Sequence, residues 1–297
     1  MVCHNRFSLP ARRLLAGEPS GQAIPAQRRA KLVVNDRPYR RIIGNIFSCW
    51  NTSWLSFRAL FNWLEPRHFV LAMVATPIME LIFFAFLGSN LGVENARFFL
   101  LGGAMIASCF PAVAGGVMAL TSERYFGTLE NILVSQRSRI YLLLMRAMPY
   151  SLAGVLAAVL TLSAGIIALR VPLPVEELAT FTILLFFGCL SSALFGMSLG
   201  VLGLLAGNVF LLINVAITAI SIGAALVVPL SVLPPWVKTI SHLMPFRHAA
   251  EGVRAMGVHD LDNVLSSIGP ELVVAAGWAL ALLSSFRYLE SRIYREG

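Results

Sequence analysis

The sequence predicts an all-α polytopic membrane protein, and three observations carry that expectation. Hydrophobic residues make up 57% of the 297 residues and charged ones 13%, and the mean hydropathy is +0.76, outside the balance of soluble globular chains. The apolar residues gather in runs near or above the ~18 needed to cross about 30 Å of hydrocarbon as a helix. Apolar and polar residues do not alternate within those runs, which excludes a transmembrane β-barrel.

Residues 1–48 are rich in Arg, Pro, Gly and Gln and hold no apolar run of the length a cleavable signal peptide needs; a disordered, basic cytoplasmic tail is expected. Residues 49–66 include WNTSWLSFRALFNWLEP. There Trp50, Trp54, Phe57, Phe61 and Leu64 fall on one helical stripe, with Arg58, Asn62 and Glu65 beside it. This Trp-rich pattern, stopped by Pro66, predicts an N-terminal interfacial helix, or alternatively a lid on the protein's own core. Residues 67–297 form the transmembrane domain. Six transmembrane helices are expected there, at about 69–88, 98–120, 141–169, 178–206, 209–232 and 271–287.

Charge sets the orientation. With the N-terminus inside, eighteen Lys and Arg lie on the inner side: those up to Arg67, from Arg124 to Arg146, and from Arg287 to Arg295. Five lie outside: Arg97, Arg170, Lys238, Arg247 and Arg254. The positive-inside rule then puts both termini in the cytoplasm of a cell (plasma or inner) membrane. The net charge of +8 belongs to membrane flanks, so no nucleic-acid partner is expected.

Several chemistries are excluded. The only lysines, Lys31 and Lys238, do not follow a glycine, so the chain lacks the Gly-Lys step of a P-loop and is not its own ATPase. Cys3, Cys49, Cys109 and Cys189 show no CxxC spacing, and two of them sit in apolar runs, so neither a disulfide nor zinc is expected. His248 and the pair His259 and Asp260 lack a third partner at ligand spacing, so no metal site and no catalytic residue is expected.

One polar passage interrupts the apolar chain, from Met118 to Arg146. Wound as a helix, Glu123 to Leu133 puts Phe126, Leu129, Ile132 and Leu133 on one arc and Glu123, Arg124, Gly127, Thr128, Glu130 and Asn131 on the other. The apolar arc can rest on the membrane domain while the polar arc faces a cytoplasmic partner; an ordinary solvated helix is the alternative. Glycine on the exposed arc weakens the helix by about 1 kcal/mol relative to Ala, which points to close approach by another backbone. A second passage, LPPWVKTISHLMPFRHAAEGVRAM from Leu233 to Met256, carries an apolar stripe of Trp236, Ile240, Leu243 and Met244 that Pro245 breaks into two short helices. Lys238, Arg247, Glu251 and Arg254 are costly in lipid, so this pair is not expected to span.

Inside the spans, Glu80 follows Pro77 by three residues in ATPIMELIFF. A carboxyl at that depth costs about 2.5 to 3.5 kcal/mol on insertion scales, so it is expected to face a substrate pathway or to bond a neighbouring span. Asn214 in the fifth span is a weaker pathway candidate. Ser192, Gly196, Gly200 and Gly203 form a small-residue stripe suited to close helix packing.

SERYFGTLENILVS, Ser122 to Ser135, resembles the segment between the second and third spans of permease subunits of the ABC-2 family of ABC exporters, E-R-x-x-G-T-L-E followed by apolar residues. Glu123, Arg124, Gly127, Thr128, Leu129 and Glu130 match it, and Gln136 departs from it near a position where many members carry proline. The resemblance implies that this segment is a cytoplasmic coupling helix docked in a separate ATPase subunit, the subunit that binds ATP and Mg2+; this chain itself then needs no cofactor. Leu233 to Met256 is similar to the family's re-entrant extracytoplasmic segment before the last span, through Pro234, Pro235, Trp236, Pro245, Glu251 and Arg254.

The resemblance covers about residues 50–290 by span order. It implies a permease that pairs with a second permease copy, in a homodimer or heterodimer, and exports a small amphipathic substrate such as a drug or antibiotic. Polysaccharide or lipid-linked glycan export is the alternative within the family. A secondary transporter and a membrane-embedded transferase are the rival classes. The first would be expected to show inverted halves or several intramembrane charges, the second a convergent set of polar residues.

Overall fold

The computed structural model describes residues 75–91, 96–125, 127, 139–171, 173–205, 208–256 and 266–296, all within one compact unit, Ser48–Gly297. The expected tail over 1–48 and interfacial helix over 49–66 lie outside the described residues. Every regular element among those described is helical. In chain order these are α1 (Thr76–Leu91), α2 (Ala96–Cys109), a π-helical turn (Phe110–Ala114), α3 (Gly115–Tyr125), α4 (Arg139–Leu169), α5 (Val175–Leu205), α6 (Val209–Gly223), a 3-10 turn (Leu230–Val232), α7 (Pro235–Ser241), α8 (Arg247–Ala255) and α9 (Ile268–Glu296).

Among the described residues, four stretches are long and apolar enough to cross a bilayer: Ala96–Ser122, Leu144–Leu169, Val175–Leu204 and Ile268–Tyr288. Two shorter apolar stretches accompany them, Thr76–Phe86 and Val209–Gly223. The first crossing runs through α2, the π turn and α3 without a break, although Pro111 lies in its middle. Proline removes one intrahelical bond; widening a single turn absorbs that loss without ending the rod.

The expected fifth span is shorter than the sequence indicates, because α6 ends at Gly223 and the helix does not run on to residue 232. Its end is a Schellman turn: Ala225 N–H bonds the Ile222 carbonyl at 3.0 Å and Leu226 N–H bonds the Ser221 carbonyl at 3.0 Å. Ala225 holds φ +57, a place usually given to glycine. Hydropathy counts the following apolar residues as span, whereas this turn has already reversed the chain.

α5 is the central helix, touching α3, α4, α8 and α9. It meets α3 backbone to backbone. A Cβ on Gly196 would lie 2.4 Å from the Val113 carbonyl oxygen, and one on Gly116 would lie 2.4 Å from that of Ala193. The expected small-residue stripe is therefore a packing surface, of the kind that lets helices associate in lipid through van der Waals contact. Around it Leu100, Met105, Val117, Leu162, Leu184, Leu185 and the thiols of Cys109 and Cys189 are buried.

Candidate functional site

Polar side chains hold the Leu233–Met256 segment at two levels of the bundle: at the start of α9, beside the middle of α5, and at the starts of α2 and α5. Its helices are α7 and α8, parted at His242–Phe246, so Pro245 lies in the break as its chemistry requires. Phe246, the residue before α8, stands at φ +67 and supplies no side-chain cap. The cap comes from α9. The fully buried Glu271 accepts the Phe246 N–H at 3.0 Å through Oε1. Through Oε2 it accepts the N–H groups of His248 and Ala249 at 3.2 Å each, and the Ser191 hydroxyl of α5 also donates to Oε1. A carboxylate thus takes up three of the donors that a helix start leaves orphaned, where the helix dipole favours negative charge.

The other end of α8 meets a cation. Arg97, at the start of α2, donates to the Met256 carbonyl at 3.1 Å and pairs with Glu177 of α5 at 2.8 Å. Arg254 donates to the Ala225 carbonyl and lies over the Phe98 ring, 4.4 Å from its centre. The strained turn after α6 is thereby tied to α8 and α2. The left-handed Phe246 costs about 1 to 2 kcal/mol, an amount offset by full burial of its ring, which leaves room only for glycine at position 188.

The remaining charges of this segment also find partners. Arg247 is buried and donates to Glu251 at 2.6 Å and to the Ser241 hydroxyl at 3.2 Å. Lys238 bonds the Ser231 carbonyl at 3.5 Å. Pro234 and Pro235 start α7. Trp236, Ile240 and Leu243, by contrast, stay exposed. Beside them, a cavity of about 740 Å³ lies between α9 and the α7–α8 break, lined by His242, His248, Val273, Val274 and Trp278 among others.

The opposite end corrects one expectation. Glu123 to Leu133 does not form a single amphipathic helix: Glu123 and Arg124 belong to the last turn of α3, which ends at Tyr125. Gly127 then holds φ +68, its N–H bonding the Arg124 carbonyl at 3.2 Å. An L-residue rarely adopts that conformation, so the glycine turns the chain at the end of a helix. Among the described residues, a Cβ there would meet nothing within 4 Å. Arg124 is exposed, and its guanidinium donates to the Leu204 carbonyl at the end of α5. Arg146 similarly donates to the Ala119 carbonyl at 3.0 Å. Thr128, Leu129 and Glu130 lie outside the described residues, as do His259 and Asp260.

Glu80 and Asn214 are not brought together. Each sits on the exposed face of its own helix, Glu80 beside Met79 and Phe83 on α1, and Asn214 beside Phe210 and Val215 on α6. Asn214 donates to its own helix, to the Phe210 carbonyl at 2.9 Å. Two residues that matter most to this architecture, Glu271 and Arg97, were not singled out from the sequence. The available signal was an acidic residue in the first turn of an otherwise apolar span, which asks for a polar partner.

Residues 46–256 match the family model described as ABC-2 type transporter. Over 179 residues the chain is 28% identical to a probable multidrug ABC transporter permease, YbhR, of Escherichia coli K12, covering 58% of this chain and 48% of that protein. The identically named protein of Escherichia coli O157:H7 matches to the same extent. The chain therefore spans about half the length of the curated relatives it matches. Because the family match takes in well over half of the chain, including α1 to α8 and both polar segments, the protein belongs to the ABC-2 type transporter family.

Proposed function

We propose that the chain is the membrane-spanning permease subunit of an ATP-driven exporter, working with a separate ATPase that binds ATP and Mg2+ and with a second permease copy. The observation that carries this reading is the family match over residues 46–256, which includes the E-R-x-x-G-T-L-E segment. The ends of α3 and α5 then face the cytosol, and the α7–α8 segment faces the other side as a re-entrant element. Gly127 ends α3 in a turn, and the residues that follow it in the matching motif, Thr128, Leu129 and Glu130, are the ones assigned to the ATPase contact. Docking there would convert approach of two ATPase subunits into movement of the attached spans. The relatives' printed name, multidrug permease, supports a small amphipathic cargo, such as a drug or antibiotic, over a polysaccharide or lipid-linked glycan. Glu80 and Asn214, exposed on α1 and α6, are the polar groups assigned to the pathway.

The test is Gly127→Trp beside Gly127→Asn. Asparagine tolerates the left-handed turn, whereas the indole fills the open space a docked subunit must enter. The tryptophan variant is expected to reach the membrane but lose the co-purifying ATPase, and the asparagine variant is expected to keep it. Equal retention by both would contradict the docking role.

A further inference from the structure

We propose that Arg124 is the mechanical link through which movement at the end of α3 reaches α6, an inference that rests on the permease reading above. Its guanidinium holds the Leu204 carbonyl, one of the last carbonyls of α5, which lack intrahelical donors and favour a cation. The chain then reverses within a few residues: α5 ends at Leu205 and α6 begins at Val209, with Asn208 Oδ1 capping the new helix through the Leu211 N–H at 3.1 Å. Position 203 is where the three helices converge. A Cβ on Gly203 would lie 3.2 Å from Thr121 Cγ2 of α3, 3.6 Å from Leu212 Cδ1 and 3.9 Å from Val209 Cγ2 of α6. With no side chain on Gly203 to separate them, the three helix ends form one packed junction, and packed junctions transmit displacement rather than absorb it.

The link has a defined input and output. On the input side, Gly127 N–H bonds the carbonyl of Arg124 itself, so a displacement of Gly127 passes to the residue that holds α5. On the output side, α6 exposes Phe210, Leu211, Asn214 and Val215, the face assigned to the pathway. Arg124 thus acts inside the chain as a positioning residue, whereas Thr128 and Glu130 remain the partner-facing ones.

The experiment uses the permease isolated with its ATPase and carrying Asn214→Cys, with maleimide labelling of that cysteine followed with and without ADP-vanadate. With Arg124 intact, trapping is expected to change the labelling rate by about fivefold or more, the low end of an allosteric coupling. Arg124→Ala is expected to keep the ATPase bound and hydrolysing ATP while the labelling change is lost, and Arg124→Lys to restore part of it. Gly203→Val, which wedges the junction without touching the guanidinium, is expected to blunt the same change and covers the case in which Arg124→Ala fails to fold. An unaltered response in Arg124→Ala or Gly203→Val overturns the link. Loss of the ATPase from Arg124→Ala also overturns it, by making Arg124 a docking contact. Absence of any ATPase from the parent preparation instead overturns the permease reading itself.

Discussion

Removing the carboxylate of Glu271 is the most informative single change at the α8 clamp. Glu271→Ala leaves three backbone donors without an acceptor, the N–H groups of Phe246, His248 and Ala249, while the Ser191 hydroxyl keeps the Gly188 carbonyl at 3.0 Å. A hydrogen bond to a charged group contributes about 1.5 to 3 kcal/mol, and loss of a helix cap alone costs about 0.5 to 2 kcal/mol. These terms overlap, because water entering the gap re-satisfies some donors, so a net loss of about 3 kcal/mol is expected. At about 2 to 4 °C per kcal/mol for a domain of this size, the melting temperature should fall by about 6 to 12 °C. Glu271→Gln keeps one acceptor oxygen but turns an amide NH2 toward the other donors, and should fall between. Tryptophan-fluorescence melting of the protein in mild detergent reads the shift, because Trp278 packs on Phe195 and donates to the Leu243 carbonyl beside the clamp. A melting temperature for Glu271→Ala within 2 °C of the parent, about the shift from 1 kcal/mol or less, would refute the reasoning, since no cap could then be contributing.

Two further changes test the packing and the ion pair. Gly196→Ala forces a methyl to 2.4 Å from the Val113 carbonyl, so α5 and the π turn that leads into α3 must part; a loss of about 1 to 3 kcal/mol is expected. Gly277→Ala, whose Cβ meets nothing, should be neutral or stabilising by up to ~1 kcal/mol through helix propensity, and equal melts for the two variants would contradict the close-packing account. Glu177→Gln breaks a pair whose Arg97 side chain is 37% exposed, so it should cost at most about 1 kcal/mol. The gap between variant and parent should narrow in high salt; a salt-independent gap would show that the Arg97 clasp is not chiefly electrostatic.

The helical membrane class was legible because apolar runs of spanning length admit few alternatives in lipid, where each backbone group must be satisfied within its own segment. The α3–α5 contact was legible for a similar reason, since glycines at helical spacing mark where backbones approach. The limits of α6 and of the polar segment after α3 were not. Both depend on single residues in the left-handed region, Ala225 and Gly127, and periodicity carries no sign of φ. Gly127 was read only for the room it leaves a neighbour; its turn of the chain carries no signal in periodicity. The clamp on α8 was also hidden, because Glu271 bonds backbone N–H groups 22 to 25 residues away, groups with no side-chain signature. Arg124 matched a motif, but its partner is a main-chain carbonyl 80 residues along the sequence.

The central claim is that force reaches this chain from a nucleotide-hydrolysing subunit encoded separately. The most direct measurement is isolation of the protein in mild detergent from membranes in which its own cell produces it, with quantitation of co-purifying proteins and of ATP turnover in the eluate. The account predicts a P-loop ATPase in equimolar amount and a turnover that the Gly127→Trp variant loses. Recovery of the chain without any such subunit, together with transport that runs on an ion gradient, would contradict it.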